Sequence, residues 1–170
     1  LTGRKLQMPA AFKQARKNRG LEALTYQRQT GCFYTIPEEP LKGDSLSRIQ
    51  CFDNDLKATW QWFYKKEEAS PKTEGGRLLH GVPALAALPD GRLLVLEREA
   101  FTPKNYIGSF VKNDIFVVEP RPEQAGQLLE KRLLVSFKTK LNLTARSFAN
   151  YEGMCVGPLL VDGRQVVILI

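Results

Sequence analysis

At 170 residues, 43% hydrophobic and 25% charged, the chain is long enough for one buried core and short for two. It contains no run of about 18 apolar residues that would span a membrane, and nothing at Leu1 resembles a secretory signal. A net charge of +7 and a pI near 9.4 favour an anionic partner, but the basic residues are scattered and the aromatics sit inside strand patterns, which argues against a nucleic-acid stacking surface and leaves a phosphorylated small molecule compatible.

In chain order, Leu6 to Lys17 is polar-rich and reads as a loop or a short helix within a poorly defined lead-in, residues 1–17. Strands are predicted at Leu21 to Tyr26, Cys32 to Pro37, Ser47 to Phe52 and Thr59 to Lys65, separated by turn residues. A polar stretch, Glu67 to Arg77, reads as an exposed connection. A second set of strands follows at Val82 to Leu88, Arg92 to Glu99, Asp114 to Glu119 and Lys131 to Phe137, with Pro89-Asp90-Gly91 as a tight turn. A third set opens with Tyr151 to Leu160, turns at Asp162-Gly163 and runs on through Val166 to Ile170.

The expected fold is therefore all-β, a β-propeller fragment of about two to three four-stranded blades over residues 18–170. The first-strand positions Glu22, Ala84 and Glu152 lie 62 and 68 residues apart, which suits blades with inserted loops, since blades commonly repeat at ~40 to 50 residues. The start without Met and the finish inside a strand-like run are read as those of a fragment.

Cys32, Cys51 and Cys155 have no zinc spacing and an odd count, and buried inert thiols are expected, with one Cys32–Cys51 disulfide conceivable in an oxidising compartment. Gly43-Asp44-Ser45-Leu46 spells a lipase block but lacks the downstream His, and the one histidine, His80, precedes a strand, where a surface or hydrogen-bonded role is expected. No Gly-x-Ser-x-Gly elbow, P-loop or paired-His motif occurs. Asn142-Leu143-Thr144 matches a glycosylation acceptor and reads as a chance match.

The most informative feature is a repeat. Asn18-Arg19-Gly20-Leu21-Glu22 and Asn150-Tyr151-Glu152-Gly153-Met154 each place an Asn and a Glu just ahead of a short apolar run. In a propeller the first strand of each blade lines the central channel, so Glu22 and Glu152 would converge there, joined by Glu97 from the exit of a second strand. Carboxylates gathered on an axis need a cation or neighbouring Arg and Lys to stay ionised. Calcium held by Glu22 and Glu152 would suit this, because it accepts six to eight oxygen ligands in flexible geometry. Glu22, Glu152 and Glu97 are thus the candidate catalytic residues, and Arg19, Arg98, Asn18 and Asn150 the candidate substrate-binding ones. The competing structural roles are an ion pair of Glu97 with Arg98, strand-end hydrogen bonding by Asn18 and Asn150, and carboxylates that lock neighbouring blades.

The runs Asn18 to Leu24, Leu88 to Arg98 and Asn150 to Met154, followed by Gly157-Pro158 and Asp162-Gly163-Arg164, resemble the phytase-like, or esterase-like phytase, domain of bacterial proteins from about Asn18 to Ile170. The resemblance implies a secreted or periplasmic β-propeller with esterase or phosphatase activity on an anionic small-molecule ester. The alternative is a non-catalytic propeller that binds a ligand or a protein partner.

Overall fold

Turn residues and β-branched or aromatic runs divide the chain into strands β1 (Leu21–Gln27), β2 (Cys32–Pro37), β3 (Ser47–Phe52), β4 (Ala58–Tyr64), β5 (Gly76–Ala87), β6 (Leu93–Pro103), β7 (Phe110–Val118), β8 (Lys131–Lys140), β9 (Met154–Leu159) and β10 (Gln165–Leu169). This computed structural model describes residues 3–70, 75–142, 144 and 149–170. The strands form three antiparallel sheets in simple meander order, β1 to β4, β5 to β8, and β9 with β10, and none of the three closes on itself among the described residues. The protein is all-β, as expected. Its only helical turns among the described residues are short 3-10 segments at Ala10–Gln14, inside the lead-in, and Pro122–Gln124.

Strand bounds depart from expectation mainly in the second sheet. β5 begins at Gly76, six residues before Val82, because Gly76 through His80 pair with Pro103 back to Glu99 of β6. β7 likewise begins at Phe110 and not Asp114, in register with the far half of β6. Polar residues such as Arg77, His80 and Lys112 conceal these extensions from a hydrophobicity reading, since they alternate on a half-buried surface. β9 starts at Met154, not Tyr151, with the Glu152 and Gly153 amides both donating to the Ile170 carbonyl (2.7 and 2.9 Å). In the predicted connection, Glu67 to Ala69 are exposed and residues 71–74 lie outside the described residues, as does Leu143 of the Asn-Leu-Thr match.

The first strands lie side by side, β1 against β5 and β5 against β9. The Ala87 amide donates to Thr25 Oγ1 (3.0 Å), and the Gln27 amide side chain donates to the Leu88 carbonyl. One core fills the space between the first and second sheets, with Ile36, Ile49, Trp62, Tyr64, Val82 and Val95 among its buried residues. A second lies between the second and third sheets around Ala84, Leu94, Leu96, Ile115 and Met154. Burying each large side chain here contributes roughly 1.5–3 kcal/mol. Trp62 keeps its indole N–H satisfied by donating to the Arg121 carbonyl (2.8 Å).

The alternation along β6 governs everything that follows. Leu93 and Val95 face the first sheet, Leu94 and Leu96 face the third, and by period two Glu97 and Glu99 continue the former face while Arg98 continues the latter. Two first strands also carry a bulge, near the start of β1 at Glu22 and midway along β5 at Val82-Pro83. A bulge re-aims the extra side chain and tolerates a proline, which has no ladder N–H to give. The cysteines are free thiols, Cys32 and Cys51 buried as expected, but Cys155 is exposed because β9 has one face open.

Candidate functional site

The leading ends of β1 and β9, with the middle of β5 and β6 between them, bring a group of charged side chains together. Asn18 turns the chain into β1 with a left-handed φ of 60°, a conformation Asn tolerates better than most residues. Arg19 follows and donates from Nη1 to Glu38 Oε1 (3.1 Å). Glu38 sits one residue beyond β2, is 3% exposed, and is tied into both adjoining sheets through its main chain: its amide donates to the Gly20 carbonyl (2.8 Å) and its carbonyl accepts from the Val82 amide (3.0 Å). From the second sheet, Arg98 places Nη2 at 3.4 Å from the same Glu38 Oε1. Its Nη1 donates to Glu152 Oε1 at 2.6 Å, and Asn150 Nδ2 donates to that oxygen at 2.9 Å. Gly81 makes the arrangement possible: a Cβ there would stand 2.5 Å from Glu38 Cγ, so Glu38 and Arg98 meet over a residue that has no side chain.

Glu22 joins this group. Its carboxyl is raised above the ordinary range, first by burial and then by the Glu38 and Glu152 carboxylates, against the opposing pull of Arg98 and Arg19. With Glu39 Oε1 3.6 Å from Arg19 Nη1, four carboxylates, those of Glu22, Glu38, Glu39 and Glu152, thus gather around two guanidiniums. The exposures are uneven: the side chains of Arg98 and Glu38 are 7% and 4% exposed, whereas that of Glu152 is 63% exposed.

Glu97 lies apart, on the opposite face of β6, and does not pair with Arg98. Its Oε1 accepts from Tyr64 Oη (2.6 Å) and Lys131 Nζ (2.7 Å), and its Oε2 accepts from the Glu67 amide (2.9 Å) with His80 Nε2 at 3.5 Å. Burial pushes this carboxyl up, but the bonds from His80, Lys131, Tyr64 and the Glu67 amide outweigh it and carry it down to about 2. Glu97 is a buried anion ringed by donors from β4, β5, β8 and the connection after β4.

The sequence-predicted Arg19, Glu22, Arg98, Asn150 and Glu152 therefore come together, Asn18 contributes through its backbone, and Glu97 belongs to a second centre. Glu38 was not among the candidates. A signal for it existed, because Glu38-Glu39 and Glu97-Arg98 are charged pairs that each follow a short apolar run of a second strand, Ile36-Pro37 ahead of one and Val95-Leu96 ahead of the other. As a calcium centre the group fits poorly. Among the described residues no three His, Cys, Asp or Glu side chains gather in a metal-holding set, and the Glu152 and Glu38 oxygens already accept from guanidiniums, which supply the positive charge a cation would bring. Beside Arg98, directly across the β6–β7 ladder, Asn113 is fully buried and neither of its side-chain polar atoms has a hydrogen-bond partner among the described residues.

No curated protein and no solved structure matches this sequence. A family model described as phytase-like, esterase-like activity of phytase, matches residues 2–170, essentially the whole sequence, and the chain belongs to that family.

Proposed function

We propose that the chain forms part of a β-propeller that hydrolyses anionic esters, phosphate monoesters foremost, with its site at the charged group around Arg98. Consecutive meander sheets with adjoining first strands support the propeller reading. The observation that carries the function is the Arg98 guanidinium, nearly buried, braced by buried Glu38, which it shares with Arg19, and within electrostatic reach of Glu22. A guanidinium held this way offers a planar fork suited to two oxygens of a phosphate or carboxylate.

In this reading Arg98 and Arg19 bind and neutralise the ester's anionic oxygens. Glu22, whose carboxyl is raised by burial and by the neighbouring Glu38 and Glu152, takes a proton from water as the water oxygen attacks phosphorus or the acyl carbon, and returns it to the departing alkoxide. Asn150 orients Glu152, and Glu97 stands outside the chemistry. No step passes through calcium, and a cation at Glu22 and Glu152 would have to draw Glu152 away from Arg98. A secreted or periplasmic setting accords with the family resemblance. The second reading, a non-catalytic binding propeller, draws on the same ion pairs, since Arg98 bridges the first and third sheets and a purely locking role would look similar.

The test is hydrolysis of p-nitrophenyl phosphate, p-nitrophenyl acetate and phytate, with and without calcium, by the wild type and Glu22→Gln. Turnover that falls at least about 100-fold in the variant at unchanged melting temperature is the expected result. Equal turnover in both proteins would remove Glu22 from the chemistry, and turnover in neither would favour the binding reading. Turnover that requires calcium would restore the metal reading.

A further inference from the structure

The two partners of Arg98 differ in a way that suggests what each is for. Glu38 is buried, fixed by two main-chain bonds and wedged against Gly81, so it cannot leave. Glu152 makes the shorter contact, 2.6 Å, yet its side chain is 63% exposed. Its backbone is anchored separately, through the bond from its amide to the Ile170 carbonyl, so the side chain can rotate away without disturbing β9. With only its Arg98 end buried, the pair is held less firmly than a fully buried one. Within the same face of β6 and β7, the fully buried Asn113 amide stands beside Arg98 with unused hydrogen-bonding capacity among the described residues, an expensive condition for a buried polar group.

We propose that the Arg98 guanidinium, beside the buried Asn113 amide, is an oxyanion seat occupied at Nη1 by the Glu152 carboxylate, and that an incoming phosphate or carboxylate binds by displacing Glu152. Glu152 is then a plug and not a nucleophile or a metal ligand. It holds the guanidinium neutralised and aimed while the seat is empty, and any anion that reaches the seat competes with it. Asn150, whose Nδ2 donates to the same Glu152 oxygen, keeps the plug close to hand. When the plug swings out, Arg98 Nη1 is freed to engage the oxygens of the incoming anion. This rests on reading Arg98 as the anion-binding group of the proposed function, but it concerns binding and needs no turnover.

The experiment is titration of inorganic phosphate into the wild type, Glu152→Gln and Arg98→Lys, followed by calorimetry at low ionic strength, with melting temperature as the check on folding. Glu152→Gln removes the competing charge at an exposed position, so it should bind phosphate about fivefold more tightly than the wild type, the upper end of what an exposed ion pair contributes. Arg98→Lys keeps a positive charge against Glu38 but loses the fork, and should bind at least about tenfold more weakly. Unchanged or weaker phosphate binding by Glu152→Gln would overturn the plug, as would full affinity in Arg98→Lys. Phosphate binding with this pattern but no hydrolysis of any ester would sink the hydrolase reading and leave the seat standing. Hydrolysis without the Glu152 effect would do the reverse.

Discussion

Glu97→Gln is the substitution most directly calculable from the structure. The side chain keeps its shape and loses its charge, and the new amide places an N–H2 group where two of the donors Tyr64, Lys131 and the Glu67 amide now point. A carboxyl that titrates near 2 in the fold and at an ordinary 4.5 in the unfolded chain holds about 3 kcal/mol of stability at neutral pH. Removing one partner of a buried ion pair costs about 3–5 kcal/mol, so both routes give a similar loss. Urea unfolding at pH 7 should show a midpoint lowered by that loss divided by an unchanged slope. The sign of the pH dependence follows from the lowered carboxyl: its contribution is complete above about 4.5 and disappears as the pH falls toward 2. The wild type should therefore lose stability across that window, and Glu97→Gln should lose about one proton's worth less. Tyr64→Phe, which deletes one bond to the same oxygen, should cost about 1–3 kcal/mol and serves where the first variant is too unstable to purify. A loss below about 1 kcal/mol in Glu97→Gln, or an acid limb identical to that of the wild type, would refute the reasoning.

Two further outcomes can be checked on the same protein. Gly81→Ala sets a Cβ 2.5 Å from Glu38 Cγ and should destabilise by about 1–3 kcal/mol, as overpacking does, while a Gly20→Ala control probes a glycine without a left-handed φ whose Cβ would meet nothing closer than 3.7 Å; equal costs at the two positions would show that the Glu38 contact is not what Gly81 provides. An aromatic disulfide reagent at pH 8 should titrate one thiol in the native protein, exposed Cys155, and three after denaturation, because Cys32 and Cys51 are buried and burial pushes the Cys51 thiol up to about 11. Two or three native equivalents would contradict this burial.

The order of strands was legible because turn residues such as Pro89-Asp90-Gly91 and Asp162-Gly163 carry their own dihedral requirements, as at Gly91 with φ 95°. The far halves of β5, β6 and β7 were not, since residues such as His80 and Lys112 look like loop until a neighbouring strand supplies their partner. Much of the charged group was visible in the repeated Asn and Glu, although the two spacings differ, Glu22 standing four residues after Asn18 and Glu152 two after Asn150. Part of the difference lies in the bulge that takes Glu22 out of register in β1. Glu38 escaped notice because Glu-Glu after a proline reads as a solvated turn, and its burial is created by Gly81, more than forty residues away. Glu97 and Arg98 read as a local pair because adjacency in sequence suggests contact, which the alternation of a strand forbids.

That alternation also proofreads assembly. If β6 slipped by one residue in one direction, Arg98 would take the place of Glu97 and confront Lys131, while Glu99 would be thrust between Glu38 and Glu152. A slip in the other direction would put Leu96 before Lys131 and Glu97 between the same two carboxylates. Hydrophobic residues on both faces of β6 would resist neither slip strongly, because Leu93 through Leu96 are apolar on either side. The charges make each misregistered sheet pay twice, once for like charges brought together and once for opposite charges parted. A single-residue insertion or deletion in β6 should for this reason be far less tolerated than one in the turn before it.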